Sequence, residues 1–87
     1  MNPGAGVPDA VRKAFPGREA LVERGVRESA AFRSLCADYL ACLRALDHWK
    51  GRRSEEAGAR RAEYEQLLAE LGREIRSWLE AFPAGPG

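Results

Sequence analysis

Cysteine, histidine and lysine are all scarce in this 87-residue chain, and so is any excess of one charge. Two cysteines cannot build the dense disulfide framework of a small secreted scaffold, and a single histidine, His48, leaves little material for acid–base or nucleophilic catalysis. No apolar run approaches the ~20 residues needed to cross a bilayer. The opening residues Met1-Asn2-Pro3-Gly4-Ala5-Gly6 lack the basic cap and apolar run of a signal peptide, so the expectation is a cytoplasmic protein with no membrane partner. Basic and acidic side chains number 14 and 13, a net charge of +1, which supplies no global field to draw the chain onto nucleic acid or an anionic membrane. Lys13 and Lys50 are the only lysines; the other basic residues are arginine, which a GC-rich coding sequence explains as readily as a need for bidentate contacts. Strand patterns are missing too, and with them any Gly-rich loop after a strand that would cradle a nucleotide.

The chain does have the makings of helices. A composition of 45% hydrophobic and 31% charged residues belongs to a folded protein, and 87 residues suffice for one small domain. Proline and glycine divide it: residues 1–8 and 83–87 read as flexible ends, and residues 9–28 as a short helical or irregular covering segment. In that segment Val7, Val11 and Phe15 precede a break at Pro16-Gly17, and Arg18 to Arg24 supply two turns before Gly25.

Residues 29–82 read as a helical hairpin. Phe32, Leu35, Cys36, Tyr39, Cys42, Leu43, Leu46 and Trp49 recur at helical spacing, with Ser29 as N-cap and Gly51 as a left-handed stop. After a short turn, Ser54 caps a second helix with Glu55 and Glu56 in its first turn. Its stripe is Ala57, Tyr64, Leu67, Leu68, Leu71, Ile75, Trp78, Leu79 and Phe82, with coiled-coil-like sevenfold spacing, until Pro83 ends it. Helices over about 29–50 and 54–82 joined so tightly run antiparallel. With the turn centred between Arg52 and Arg53, facing residue numbers should sum to about 105, placing Tyr39 near Gln66 and Leu67, and Phe32 against Gly72. The longer second helix carries Trp78 and Leu79 past Ser29, so Leu21, Val22 and Val26 of the segment 18–27, or a second copy of the chain, must cover that end.

Chemistry is sparse along this hairpin. Cys36 and Cys42 lie ~9 Å apart along one helix, too far for a disulfide, and with His48 they point in three directions rather than converging on a metal. Asp38 and Asp47 sit near opposite edges of the stripe and are expected to pair with arginines of the facing helix. No concave pocket of the few hundred cubic ångströms typical of substrate sites is expected from so small a hairpin. The sequence therefore points to no enzyme, no cofactor, no metal and no small-molecule substrate.

Charge is distributed unevenly instead. Residues 44–61 hold six basic and three acidic side chains, net +3, whereas residues 63–80 hold five glutamates and two arginines, net −3. Arg52, Arg53, Arg60 and Arg61 form a basic tip at the turn, with Glu56–Arg60 and Glu70–Arg73 as expected local pairs. The segments Phe32-Arg33-Ser34-Leu35-Cys36-Ala37-Asp38-Tyr39 and Glu63-Tyr64-Glu65-Gln66-Leu67-Leu68-Ala69-Glu70-Leu71 resemble small bacterial proteins built as a helical hairpin. That resemblance spans about residues 29–80, implies the hairpin fold, and implies no catalytic or binding residue.

The expectation is thus an all-α protein, an antiparallel helical hairpin with a short N-terminal helical segment, dimerising into a four-helix bundle because two helices leave apolar surface over. Phe32, Tyr39, Leu43, Trp49, Tyr64, Leu71, Ile75 and Trp78 form its core and dimer face. The expected role is a non-enzymatic protein–protein interaction module, partnered by itself or by another helical protein. The weaker alternative is a nucleic-acid or acidic-partner binder using the basic tip.

Overall fold

The computed structural model describes residues 6–81, with side chains from Asp9 onward, and over that span the protein is all-α. Four helices follow one another: α1 Gly6–Ala14, α2 Glu19–Glu28, α3 Ala30–Trp49 and α4 Glu55–Ala81. The first helix takes in residues 6–8, which the sequence assigns to the flexible N-terminal segment. The rest of that segment, the expected flexible tail 83–87, and Phe82 lie outside the described residues.

Local chemistry sets the boundaries. Between α1 and α2, Phe15-Pro16-Gly17-Arg18 forms a tight turn: Arg18 N donates to Phe15 O at 3.2 Å, and Gly17 takes φ +87°. Proline followed by a positive-φ glycine is the type II arrangement, in which an L side chain at the glycine position is strained. The second helix runs through Gly25, which is buried, to Glu28 rather than stopping before it. Ser29 then makes a one-residue corner with extended dihedrals (φ −132°, ψ 117°). Its N–H donates to Gly25 O at 2.9 Å, closing α2, while its hydroxyl accepts from Phe32 N at 3.1 Å, opening α3. Ser54 does the same for α4, accepting from Ala57 N at 3.1 Å.

The stop after α3 differs from expectation. Gly51 does not take a left-handed conformation; Lys50 stays right-handed and donates its N–H to Asp47 O at 3.3 Å, while Arg52 N donates to Trp49 O at 3.2 Å. A tightened last turn therefore satisfies the carbonyls that a left-handed cap would otherwise take.

The antiparallel pair α3–α4 is the largest interface, and its register is offset from the simple count. Cys42 Sγ reaches Tyr64 O at 3.0 Å, close to the expected pairing. Farther from the turn, however, the Phe32 ring meets Trp78 (centroids 5.6 Å apart), and Tyr39, not Phe32, stands over Gly72. Side chains tilt toward the N-terminus of their own helix. In this hairpin that tilt carries α3 side chains away from the turn and α4 side chains toward it. A long α3 ring consequently meets an α4 residue several positions farther along, whereas a short thiol touching backbone keeps the nominal register.

The N-terminal segment supplies the cover for the far end of the hairpin. Both α1 and α2 pack on α3, and α2 also touches α4. Val11, Val22, Phe32, Cys36, Ile75 and Leu79 are the largest fully buried side chains, a single cluster drawn from all four helices. An ion pair from Arg12 to Glu23 ties α1 to α2, and the Arg33 guanidinium donates to Val26 O at 2.7 Å across the Ser29 corner. Of the expected core face, Phe32, Leu71 and Ile75 are buried, while Tyr39, Leu43, Trp49, Tyr64 and Trp78 are half-buried.

Candidate functional site

Because α1 and α2 cover only one end, the hairpin is four helices thick at its far end and two helices thick near the turn. On α3, Tyr39, Leu43, Leu46 and Lys50 follow one another at helical spacing along one side of the seam. On α4, Arg61, Glu65, Leu68, Gly72 and Arg76 do the same opposite them. Two open recesses lie between these rows. One, of about 330 Å³, is lined by Leu43, Leu46, Asp47, Lys50, Arg61 and Glu65. The other, of about 600 Å³, is lined by Tyr39, Glu65, Leu68, Gly72, Arg73 and Arg76, and closed at its end by Ala14 and Phe15 of α1. Glu65 lines both, so the two are consecutive stretches of one trough. This corrects the expectation that so small a hairpin has no concavity of a few hundred cubic ångströms: the far wall is built by the C-terminal end of α1, forty or more positions away from the α4 residues it faces.

The trough floor is apolar and its rim charged. Tyr39, Leu43, Leu46 and Leu68 are half-buried. Tyr39 is fixed on two sides: its ring lies 6.2 Å from that of Phe15, and its Cε1 stands 3.7 Å from where a Cβ on Gly72 would be. Burial raises the pKa of its hydroxyl, reinforced by the nearby Cys42 and opposed by the Arg76 guanidinium. Arg76 itself lies over the Phe15 ring, 5.8 Å from the centroid, an arrangement that holds a cation at the α1 end of the trough. Arg73 and Lys50 are exposed, and neither joins an ion pair among the described residues.

The basic tip is partly committed to its own backbone. Arg52 Nε donates to His48 O at 3.4 Å with its guanidinium 5.8 Å from the Trp49 ring, and Arg61 donates to Arg52 O at 3.4 Å. Both arginines thus help satisfy carbonyls at and beyond the C-terminus of α3, where the helix dipole favours a cation. Arg60 pairs with Glu63 at 3.3 Å instead of with Glu56, and the Glu70–Arg73 pair is not formed. Arg53 is exposed with no partner among the described residues. Trp49 is half-buried, with the Arg52 guanidinium 5.8 Å from its centroid and the His48 ring edge-on to it at 5.1 Å.

The remaining candidates do not assemble. Asp38 and Asp47 are exposed, and neither reaches an arginine of the facing helix. Cys36 and Cys42 are free, buried thiols; burial pushes Cys36 up to about 11 and Cys42 upward as well. A thiol held neutral by burial is a poor nucleophile. Among the described residues no group of His, Cys, Asp or Glu could hold a metal ion, and no helix is long and apolar enough to cross a membrane. No family model, curated protein or solved structure matches the chain.

Proposed function

We propose that the protein is a non-enzymatic interaction module that takes a helix of a partner chain into the trough between α3 and α4. The observation that carries this reading is the position of the trough: α1 and α2 complete the core at one end and stop, leaving Leu43 and Leu46 half-buried along the two-helix end and Leu68 half-buried where the trough meets α1. An apolar floor between two helices, with charged residues at its rim, is the geometry in which amphipathic helices dock. The sequence argument for a homodimer rested on the apolar surface that two helices leave over, and α1 and α2 of the same chain cover part of it, at the far end of α4. A partner therefore acts at the trough and is not needed to complete the core.

Site-specific photo-crosslinking in cells tests this reading. A crosslinker at Leu43 or Leu68 should yield a discrete adduct, while one at Arg44 or Ala37, exposed outside the trough, should not. Equal labelling at all four positions, or none at Leu43 and Leu68, would refute it.

A further inference from the structure

Building on that interaction reading, we infer that the occupant of the trough is an acidic amphipathic helix of another protein: an apolar stripe with carboxylates toward both ends. The charges along the rim have an order. Lys50 and Arg61 stand at the turn end, Arg73 and Arg76 at the α1 end, and the two carboxylates of the lining, Asp47 and Glu65, lie between. From Arg61 to Arg76 the rim extends ~22 Å at about 1.5 Å per residue, or about four helical turns. Two of the four cations are already positioned, Arg76 over the Phe15 ring and Arg61 against Arg52 O, so little side-chain freedom is lost when a carboxylate arrives.

The same order argues against a second copy in the trough. A parallel two-fold pairing of trough on trough sets cation against cation at both ends and Asp47 and Glu65 against their own kind, and an antiparallel one still sets Lys50 and Arg61 of one copy against Arg76 of the other. A helix with acidic ends and an uncharged apolar centre meets the opposite sign where the rim is basic and avoids the central carboxylates. Opposite potential at both ends also fixes the length of the docked helix, because a shorter one engages only one pair of cations.

The experiment uses the full chain and two synthetic helical peptides of about 15 residues. One has leucines at i, i+4, i+7 and i+11 with glutamates in its first and last turns; the other carries lysines in place of the glutamates. Fluorescence anisotropy should show the acidic peptide binding more tightly by roughly tenfold, from several rim pairs each worth a factor of about two to five. The preference should shrink as salt rises. The double variant Lys50→Glu/Arg73→Glu, at two exposed residues, should erase or reverse it while far-UV circular dichroism shows the helices intact. Equal binding of the two peptides, blocked by Leu68→Asp, would overturn the charge inference and leave the interaction reading standing. Binding of neither at about 1 mM peptide would overturn both. Self-association in sedimentation that Leu68→Asp abolishes would make the occupant a second copy and also overturn the inference.

Discussion

Replacing Gly72 by alanine probes the α3–α4 seam at the point where the observed register departs from the simple count. Gly72 lies in the middle of α4, and a Cβ there would stand 3.7 Å from Tyr39 Cε1, an ordinary van der Waals separation that displaces nothing. Glycine inside a helix costs about 1 kcal/mol relative to alanine, mainly through backbone entropy. Gly72→Ala should therefore stabilise the protein by about 1 kcal/mol, raising Tm by roughly 4–8 °C for a domain of this size. Thermal melts followed by far-UV circular dichroism read this directly, and two other glycines calibrate it. A Cβ on Gly58 meets nothing within 4 Å, so Gly58→Ala gains only the helix-propensity contribution and should also stabilise. Gly17 is the opposite case: at φ +87° an alanine is strained, and Gly17→Ala should cost ~1–2 kcal/mol despite open space around it. If Gly72→Ala lowered Tm while Gly58→Ala raised it, glycine at 72 would be required by a closer approach than 3.7 Å. The side-chain tilt that places Tyr39 there would then be the wrong explanation of the register.

Further substitutions and a change of pH test the packing of the helices. Phe32→Ala, at a fully buried ring touching Trp78, should cost ~3–5 kcal/mol in urea unfolding, whereas Leu43→Ala, half-buried in the trough floor, should cost about half of that or less; equal costs would mean that the trough is closed in solution. Ser29→Ala removes the hydroxyl that accepts from Phe32 N and should destabilise by ~1 kcal/mol, with no change if water caps α3 as well. The Cys36 thiol is pushed up to about 11 from an unfolded value near 9, so its contribution is complete below pH 9 and is lost as pH rises from 9 to 11. Stability should fall by roughly 1.4 kcal/mol per pH unit across that window, less in Cys36→Ser, and iodoacetamide should label both thiols only after unfolding; rapid labelling of the native protein at pH 8 would contradict their burial.

What could be read from the sequence was local. The caps at Ser29 and Ser54, the break at Pro16-Gly17 and the extents of α3 and α4 all depend on residues within a few positions of one another, and each stands within a residue or two of its expected place. The register of Tyr39 and Phe32 against α4 depends on side-chain tilt across a long-range interface, which residue counting from the turn does not include. Gly51 shows the limit of composition at a helix end, since a glycine permits a left-handed cap but does not compel one when Arg52 and a tightened turn supply the donors. The trough had a visible signal in the helical spacing of Arg61, Glu65, Leu68, Gly72 and Arg76, which lies beside the main apolar stripe rather than within it. Its other wall, Ala14 and Phe15, could be placed only once α1 was seen against α3.

The division of labour between the two ends makes a final outcome calculable. The fully buried large side chains, Val11, Val22, Phe32, Cys36, Ile75 and Leu79, all belong to the four-helix end, so most of the burial free energy resides away from the trough. Near the turn only Cys42 and Ala57 are buried, and the neighbouring Leu43, Leu46 and Tyr64 stay half-buried for want of a third helix. A docked helix there adds apolar burial to the native state and none to the unfolded one. By linkage, a ligand at a hundred times its Kd then stabilises the fold by ~2.7 kcal/mol. On this protein that corresponds to a Tm increase of roughly 11–22 °C, scaling from about 4–8 °C per kcal/mol. The increase should disappear in Leu68→Asp, read against that variant's own ligand-free Tm, which falls because Leu68 is half-buried against the core. A partner that binds without raising Tm would have to engage folded and unfolded chains alike, and a docked helix at a preformed trough could not do that.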